Sequence, residues 1–308
     1  MYSQPPHYAT QYTTFQLLAI DKMAPSLFSV ANKTFLITGG SRGIGFHMAK
    51  GLSALGANVI ISSRTESDCI EAVSKISSKT PTNNNTNNNN NTNNVKYIVG
   101  DVSSREGCEA LISSITSLDV LVNNAGCAWG EPLERKSGRA NWGWDKVLDL
   151  NVKGPFYLSV AALPLLTTPS DPNTGAFDDN STGRIINVGS ITGLLPQEAP
   201  THAYDVSKAA IHHLTKKMAK DFAPKGVTVN CIAPGFVPSR MTEGLKSYAS
   251  FEEIARSTPM QRLGGEEDMV GAVVYFSSRA GSWVTGTVLP VDGGAVAGQQ
   301  IPLSSLGE

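Results

Sequence analysis

The run Thr38-Gly39-Gly40-Ser41-Arg42-Gly43-Ile44-Gly45 sits between a short β-prone stretch, Thr34 to Thr38, and an apolar-periodic segment from Ile44 to Leu55 that Gly56 closes. Strand, glycine turn and helix in this order bring free backbone amides and a helix N-terminus to one point, where the helix dipole favours an anion. Gly39, Gly43 and Gly45 let the main chain approach a pyrophosphate closely, and Ser41, Arg42 and Ile44 complete the loop. A tight turn without a ligand would use the same glycines. The strand before and the helix after favour a dinucleotide site.

That turn opens a longer pattern. Asn58 to Ser62 reads as a second strand and Glu66 to Ile76 has helical spacing, which makes a βαβ unit. Further strands are predicted at Val95 to Val99, Val120 to Val122, Arg184 to Val188, Thr228 to Ile232 and Val288 to Val291, with helical patterns between them. Continuous apolar strands alternating with helices predict an α/β fold, a single Rossmann-like doubly wound parallel sheet with helices on both faces.

The first 30 residues are polar and aperiodic and read as a disordered tail, leaving 31–308 as one catalytic domain. Residues 83–94 hold ten asparagines and two threonines, so 80–94 reads as a disordered insertion with nothing to bury. Without these segments the chain has the size of one α/β domain.

Composition removes several classes of function. Of the 308 residues, 25 are Lys or Arg and 26 Asp or Glu, so the net charge of −1 provides no basic field for nucleic acid or an anionic membrane. Cys69, Cys108, Cys127 and Cys231 form no C-x-x-C pair and fit a reducing compartment. Met1 to Ile20 lacks the marks of a secretory signal or mitochondrial presequence, so the expected location is cytoplasmic. Pro155, Pro164 and Pro169 interrupt the apolar stretch Gly154 to Ser170, which reads as a buried helix rather than a membrane span.

In a dinucleotide site an acid at the end of the second strand bonds the ribose 2′-hydroxyl, whereas a cation there accommodates a 2′-phosphate. Here the second strand runs into Ser62-Ser63-Arg64 with no acid. Arg64 can fork onto a phosphate, Ser63 can donate a hydroxyl, and Arg42 approaches from the glycine turn, so NADP(H) is expected over NAD(H).

Tyr204-Asp205-Val206-Ser207-Lys208 places a tyrosine and a lysine at i and i+4 on one helix face. An ammonium beside a phenol stabilises the phenolate, and the pair can then do acid–base work near neutral pH. Alone, such a spacing is a common accident. Its weight comes from the glycine turn, from Asn123-Asn124-Ala125-Gly126 after a strand, from Asn151, and from Ser190 just beyond the Arg184 to Val188 strand.

With these motifs in this order, the sequence resembles the short-chain dehydrogenase/reductase family over roughly Ala31 to Gly294; Asp101-Val102, Pro234-Gly235 and Val291-Asp292-Gly293-Gly294 add to the match. Within that family Trp129-Gly130, Pro238-Ser239-Arg240-Met241-Thr242 and Thr285-Gly286 look most like NADPH-dependent 3-oxoacyl-[acyl-carrier-protein] reductases of the rhamnolipid-forming type. The resemblance implies a catalytic set of Ser190, Tyr204, Lys208 and Asn151. Tyr204 would protonate a carbonyl oxygen that Ser190 also bonds. Lys208 would hold the nicotinamide ribose and lower the tyrosine pKa, and Asn151 would hold a water that connects Lys208 to solvent. Asp101 and Val102 would lie against the adenine, Asn124 and Asn123 behind the adenosine ribose, and Val237 and Ser239 at the carboxamide. Ser239 stands where the family commonly has threonine, which keeps the hydroxyl.

The implied function is an NADPH-dependent carbonyl reductase acting on a 3-oxoacyl thioester or a related β-keto compound, as a homodimer or homotetramer. An alcohol, sugar or steroid dehydrogenase on the same scaffold is the alternative, and a catalytically silent NADP(H) sensor a remoter one. His202 and the pair His212-His213 have no ligand partner at a recognisable spacing, so no metal is expected. Trp129 and Trp142 suit a pocket mouth, and Trp144 suits core packing. Ser239 to Arg262 suits a substrate lid.

Overall fold

Alternation within a single strand decides how this molecule is layered. In β1 (Thr34–Thr38) Phe35 and Ile37 enter one apolar cluster and Leu36 enters another, because successive side chains point to opposite faces of a sheet. The computed structural model describes residues 26–78, 94–134, 141–167, 170–172, 174, 177–178, 182–243 and 250–298. The asparagine-rich run, apart from Asn94, and the chain before Ser26 lie outside the described residues. Val30, just ahead of residue 31, is buried in the core.

The other strands are β2 (Asn58–Ser63), β3 (Val95–Val99), β4 (Val120–Asn123), β5 (Gly183–Val188), β6 (Val227–Pro234) and β7 (Val288–Val291). All pair in parallel, in the order β3-β2-β1-β4-β5-β6-β7. The order reverses between β1 and β4. At such a switch point the connections leave to opposite sides and open a crevice beyond the carboxyl ends of the strands.

One face of the sheet carries α1 (Gly43–Ala54), α2 (Glu66–Ser77) and, from the far end of the chain, α9 (Glu266–Ser277). The helices α1 and α9 approach so closely that a Cβ on Gly51 would lie 2.4 Å from a methyl of Val270. The opposite face is covered by α3 (Arg105–Ser113), α5 (Gly154–Leu166) and α6 (His202–Phe222). The seven predicted strands are all present, lengthened at β2, β4, β5 and β6 by one to three residues.

The apolar stretch that reads as a buried helix forms one from Gly154 to Leu166, after which Thr167 turns extended (φ −71°, ψ 126°). It is preceded by α4 (Trp144–Leu148) and a π-helical turn, Asp149–Lys153, that no apolar period signals. Trp144 is only half-buried, and the residue of α4 that enters the core is Val147. The short helices α7 (Arg240–Glu243) and α8 (Phe251–Ser257) stand between β6 and α9, within the stretch read as a lid.

Candidate active site

The glycine turn is clamped to β4 before any ligand is considered. The Thr38 hydroxyl accepts the backbone N–H of Asn124 at 3.1 Å and of Ala125 at 3.0 Å. Asn124 Nδ2 donates back to the Thr38 carbonyl at 2.8 Å. Gly39 (φ +65°) and Gly43 (φ +55°) take left-handed conformations that side-chain-bearing residues rarely adopt. Gly45 serves a different purpose: a Cβ there would lie 2.4 Å from the Gly39 carbonyl oxygen and 2.5 Å from Asn124 Nδ2. It lets the helix meet the strand and does not line the cavity. Gly45→Ala is therefore expected to destabilise the fold by about 1–3 kcal/mol through overpacking, read as a lowered melting temperature. An unchanged melting temperature would show that the turn can relax away from the new methyl.

A cavity of about 600 Å³ runs along the carboxyl ends of the strands. At one end it is lined by Gly39, Ser41, Arg42, Gly43 and Ile44, by Ser63 and Arg64 after β2, and by Asp101 and Val102 after β3. Asn124, Val237 and Ser239 stand between, Ser239 against Gly43, and Ser190, Tyr204 and Lys208 line the other end.

Features of the glycine turn fit a phosphate group. The N-terminus of α1 has no side-chain cap and no acidic residue in its first turn, so its amides remain available. The Ser41 hydroxyl is buried without a hydrogen-bond partner among the described residues. Arg42 lies 4.0 Å from Asp68, too long for a hydrogen bond, so its guanidinium retains donors.

Asn123 and Asn124 part company. Asn123 is the last residue of β4 and its amide is buried, donating to Ser159 Oγ at 3.1 Å and to Asn187 Oδ1 at 2.9 Å. Asn187 in turn donates to Thr215 Oγ1 at 2.9 Å. This chain ties β4, α5, β5 and α6 together inside the protein, so the Asn123 side chain faces away from the cavity that Asn124 lines.

At the reacting end Ser190 caps a 3₁₀ turn, Ile191–Gly193, by accepting the Thr192 N–H at 3.2 Å. That turn lies flush on α6: a Cβ on Gly193 would reach the Lys208 carbonyl carbon at 2.4 Å. Ser190 thereby comes within hydrogen-bond reach of Tyr204. Lys208 Nζ stands 5.5 Å from the centre of the Tyr204 ring and donates to the Val188 carbonyl at 2.9 Å. Asn151, in the π turn, is buried beside this group without lining the cavity. Its Nδ2 donates to the Cys127 carbonyl at 2.9 Å and to Ser207 Oγ at 3.0 Å, and its Oδ1 accepts the Cys127 N–H at 2.9 Å. A water shared with Lys208 would have to use what oxygen lone pairs remain on this residue.

Electrostatics at this end differ from the sequence expectation. Burial pushes the Tyr204 phenol up to about 12, with the Ser190 hydrogen bond pulling the other way. Burial also brings the Lys208 ammonium down to about 8. Desolvation is the largest cause for both groups and favours the neutral form of each.

Above the reacting end the cavity is lined by Ile191, Gln197, Thr201, Met241, Ile254 and Pro259, from the 3₁₀ turn and the α7–α8 region. Gln197 and Thr201 belong to no motif and were not singled out from sequence. Leu245 and Tyr248 of the predicted lid lie outside the described residues, and Phe251 meets Phe236 edge-on at 5.3 Å. Trp129 does not line the cavity. Its indole donates to Glu131 at 3.0 Å, Lys146 lies over its ring, and Gly143 (φ +68°) leaves room for it. His202 and His213 are exposed, whereas His212 is buried, its imidazole brought down to about 4 by burial and then by Lys208. No three His, Cys, Asp or Glu side chains converge as a metal site among the described residues.

Comparison with known proteins gives a consistent picture. A family model described as enoyl-(acyl carrier protein) reductase matches residues 39–296. The rhamnolipids biosynthesis 3-oxoacyl-[acyl-carrier-protein] reductase of Pseudomonas aeruginosa is 36% identical over 272 residues, 87% of this chain and 97% of that protein. The gluconate 5-dehydrogenase of Gluconobacter oxydans is 33% identical over 277 residues, 88% of this chain and 97% of that one. Among solved structures, the Pseudomonas aeruginosa RhlG/NADP active-site complex matches with a TM-score of 0.74 at 35% identity, covering 88% of this chain and 99% of that one.

Proposed function

This chain belongs to the short-chain dehydrogenase/reductase family, and from that premise we propose that it is an NADPH-dependent carbonyl reductase that converts a 3-oxoacyl thioester, or a related β-keto compound, to the 3-hydroxy product. The observation that carries this reading is one cavity lined at one end by the glycine turn with Arg42 and Arg64, and at the other by Ser190, Tyr204 and Lys208. Bound NADPH supplies the hydride. The chain's own residues do the rest. Tyr204 gives its phenolic proton to the carbonyl oxygen, and Ser190, already within reach of that phenol, holds the same oxygen. Lys208 holds the nicotinamide ribose and replenishes the tyrosine proton. Asn151 fixes the Cys127 backbone and Ser207 around Lys208. Ser41, Arg42, Ser63 and Arg64 bind the phosphates, with Asp101, Val102 and Asn124 along the adenosine and Val237 and Ser239 at the nicotinamide.

The lining above Ser190 suits an acyl chain. Ile191, Met241, Ile254 and Pro259 are apolar, and among the described residues the lining cations other than Lys208 are Arg42, Arg64 and Arg240. A cation would strengthen the hold on a sugar acid's carboxylate, and none of Ile191, Gln197, Thr201, Met241, Ile254 and Pro259 carries one. Because gluconate 5-dehydrogenases are among the relatives, that second reading is tested directly. Following NADPH absorbance with a 3-oxoacyl thioester and with a keto sugar acid should give a kcat/KM at least about tenfold higher for the thioester, since matched apolar burial contributes about 1–3 kcal/mol per methylene-sized difference. The reverse order would transfer the assignment to sugar-acid chemistry.

Exposed Phe156 and Val160 on α5 and Val206 on α6 support assembly as a homodimer or homotetramer. The even charge balance and free cysteines support a cytoplasmic enzyme with no nucleic-acid partner. Among the described residues no helix is long and apolar enough to cross a membrane.

A further inference from the structure

Arg240, at the start of α7, lines the large cavity together with Ser41 and Arg42. The same three residues also border a second cavity of about 170 Å³ whose far wall is α2, with Asp68, Glu71 and Lys75. Arg240 thus stands where α7 meets the glycine turn, beside Arg42.

Its backbone is held there. The Ser239 N–H donates to Thr242 Oγ1 at 2.8 Å, and that hydroxyl donates to the Ser239 carbonyl at 2.9 Å. Ser239 rests on the glycine turn, its Cβ 3.6 Å from where a Cβ on Gly43 would lie. The tight turn that begins the lid therefore fixes the point from which Arg240 projects.

The charges of this corner are out of balance. Three cations, Arg42, Lys75 and Arg240, meet two carboxylates, Asp68 and Glu71. Lys75 takes Glu71 in an i,i+4 ion pair, and Arg42 has only the loose approach to Asp68. Arg240 makes no ion pair or hydrogen bond among the described residues and feels Glu71 only through space. Two guanidiniums sharing a cavity repel each other unless an anion lies between them, and their planar forks match phosphate oxygens.

We propose that Arg240 is a cofactor-specificity residue that reaches the 2′-phosphate of NADP(H) from the start of α7, across the cavity from Arg42. The proposal rests on the reading of NADP(H) as the cofactor. The phosphate would then be engaged from both walls, and NADH, lacking that group, would leave Arg240 without its anion.

Calorimetric titration with adenosine 2′,5′-bisphosphate and with 5′-AMP tests this without any turnover, because the two probes differ only in the 2′-phosphate. In Arg240→Ala the dissociation constant of the bisphosphate should rise about tenfold, as expected for one charge-assisted contact, while that of 5′-AMP stays within about twofold. Arg240→Lys should recover part of the loss, and the ratio of NADPH to NADH affinity should fall in step. Arg240 is exposed, so an unchanged melting temperature verifies that the variants are folded. Equal weakening of both probes, or no weakening of the bisphosphate, would overturn the proposal and leave the NADP(H) reading intact. Wild-type protein that binds the two probes equally would overturn that reading as well.

Discussion

Tyr204→Phe should reduce the turnover of carbonyl reduction by about 10³-fold and leave NADPH affinity within about twofold. The phenol lies beside Ser190 and is the proposed proton donor, and general acid catalysis of this kind contributes about 10²–10⁴-fold. The ring itself stays. Lys208, 5.5 Å from its centre, keeps the same neighbour and the same bond to the Val188 carbonyl, so the cofactor end is undisturbed. Single-turnover absorbance gives the first quantity and quenching of NADPH fluorescence the second. A loss of less than tenfold would transfer the acid to another group, and a parallel loss of NADPH binding would mean that the hydroxyl holds the coenzyme rather than the substrate. Because burial pushes the phenol up to about 12, it keeps its proton throughout the neutral range, the state that reduction requires of it.

How far the sequence discloses this site depends on what kind of force places each residue. Strands buried on both faces are continuous apolar runs, so β1 falls where its run lies and the glycine turn follows from it, whereas β3 and β7, at the sheet edges, are apolar but only partly buried. Ser190 is legible because it follows β5 by two residues, and Tyr204 and Lys208 because they stand at i and i+4 on one helix face. What the sequence hides is the direction of neighbouring side chains. Asn123 and Asn124 are adjacent, yet the first still belongs to β4 and points into the interior, whereas the second lies past the strand end and clamps the turn. The π turn around Asn151 and the Ser239–Thr242 turn under Arg240 rest on individual hydrogen bonds, which leave no period to read. His212 shows a signal that was available: at i+4 from Lys208 it must share the face of α6 that turns inward, and it is buried there.

Lys208→Met should cost about 10²–10³-fold in kcat/KM and at the same time raise the melting temperature at pH 7. Both effects follow from one placement, an ammonium in a buried site whose pKa burial brings down to about 8. For activity, the proposed mechanism makes the charged lysine the competent form, the one that would hold the ribose and return the proton to Tyr204. kcat/KM for NADPH in the reduction direction reports the free enzyme, so it should be level below pH 8 and fall as pH rises through about 8. For stability, the unfolded lysine keeps its proton up to about 10.5 whereas the folded one releases it near 8. Between these values the unfolded chain binds more protons, so stability rises with pH across that window, and below it the fold bears the full cost of the buried charge. Methionine removes the charge while filling similar space. The variant should therefore melt higher than wild type at pH 7 and lose the rise in stability between pH 8 and about 10.5, the opposition of stability and activity common where a site holds an unfavourable charge for its chemistry. A variant that melts lower would mean that the bond from Nζ to the Val188 carbonyl outweighs the desolvation of the ammonium.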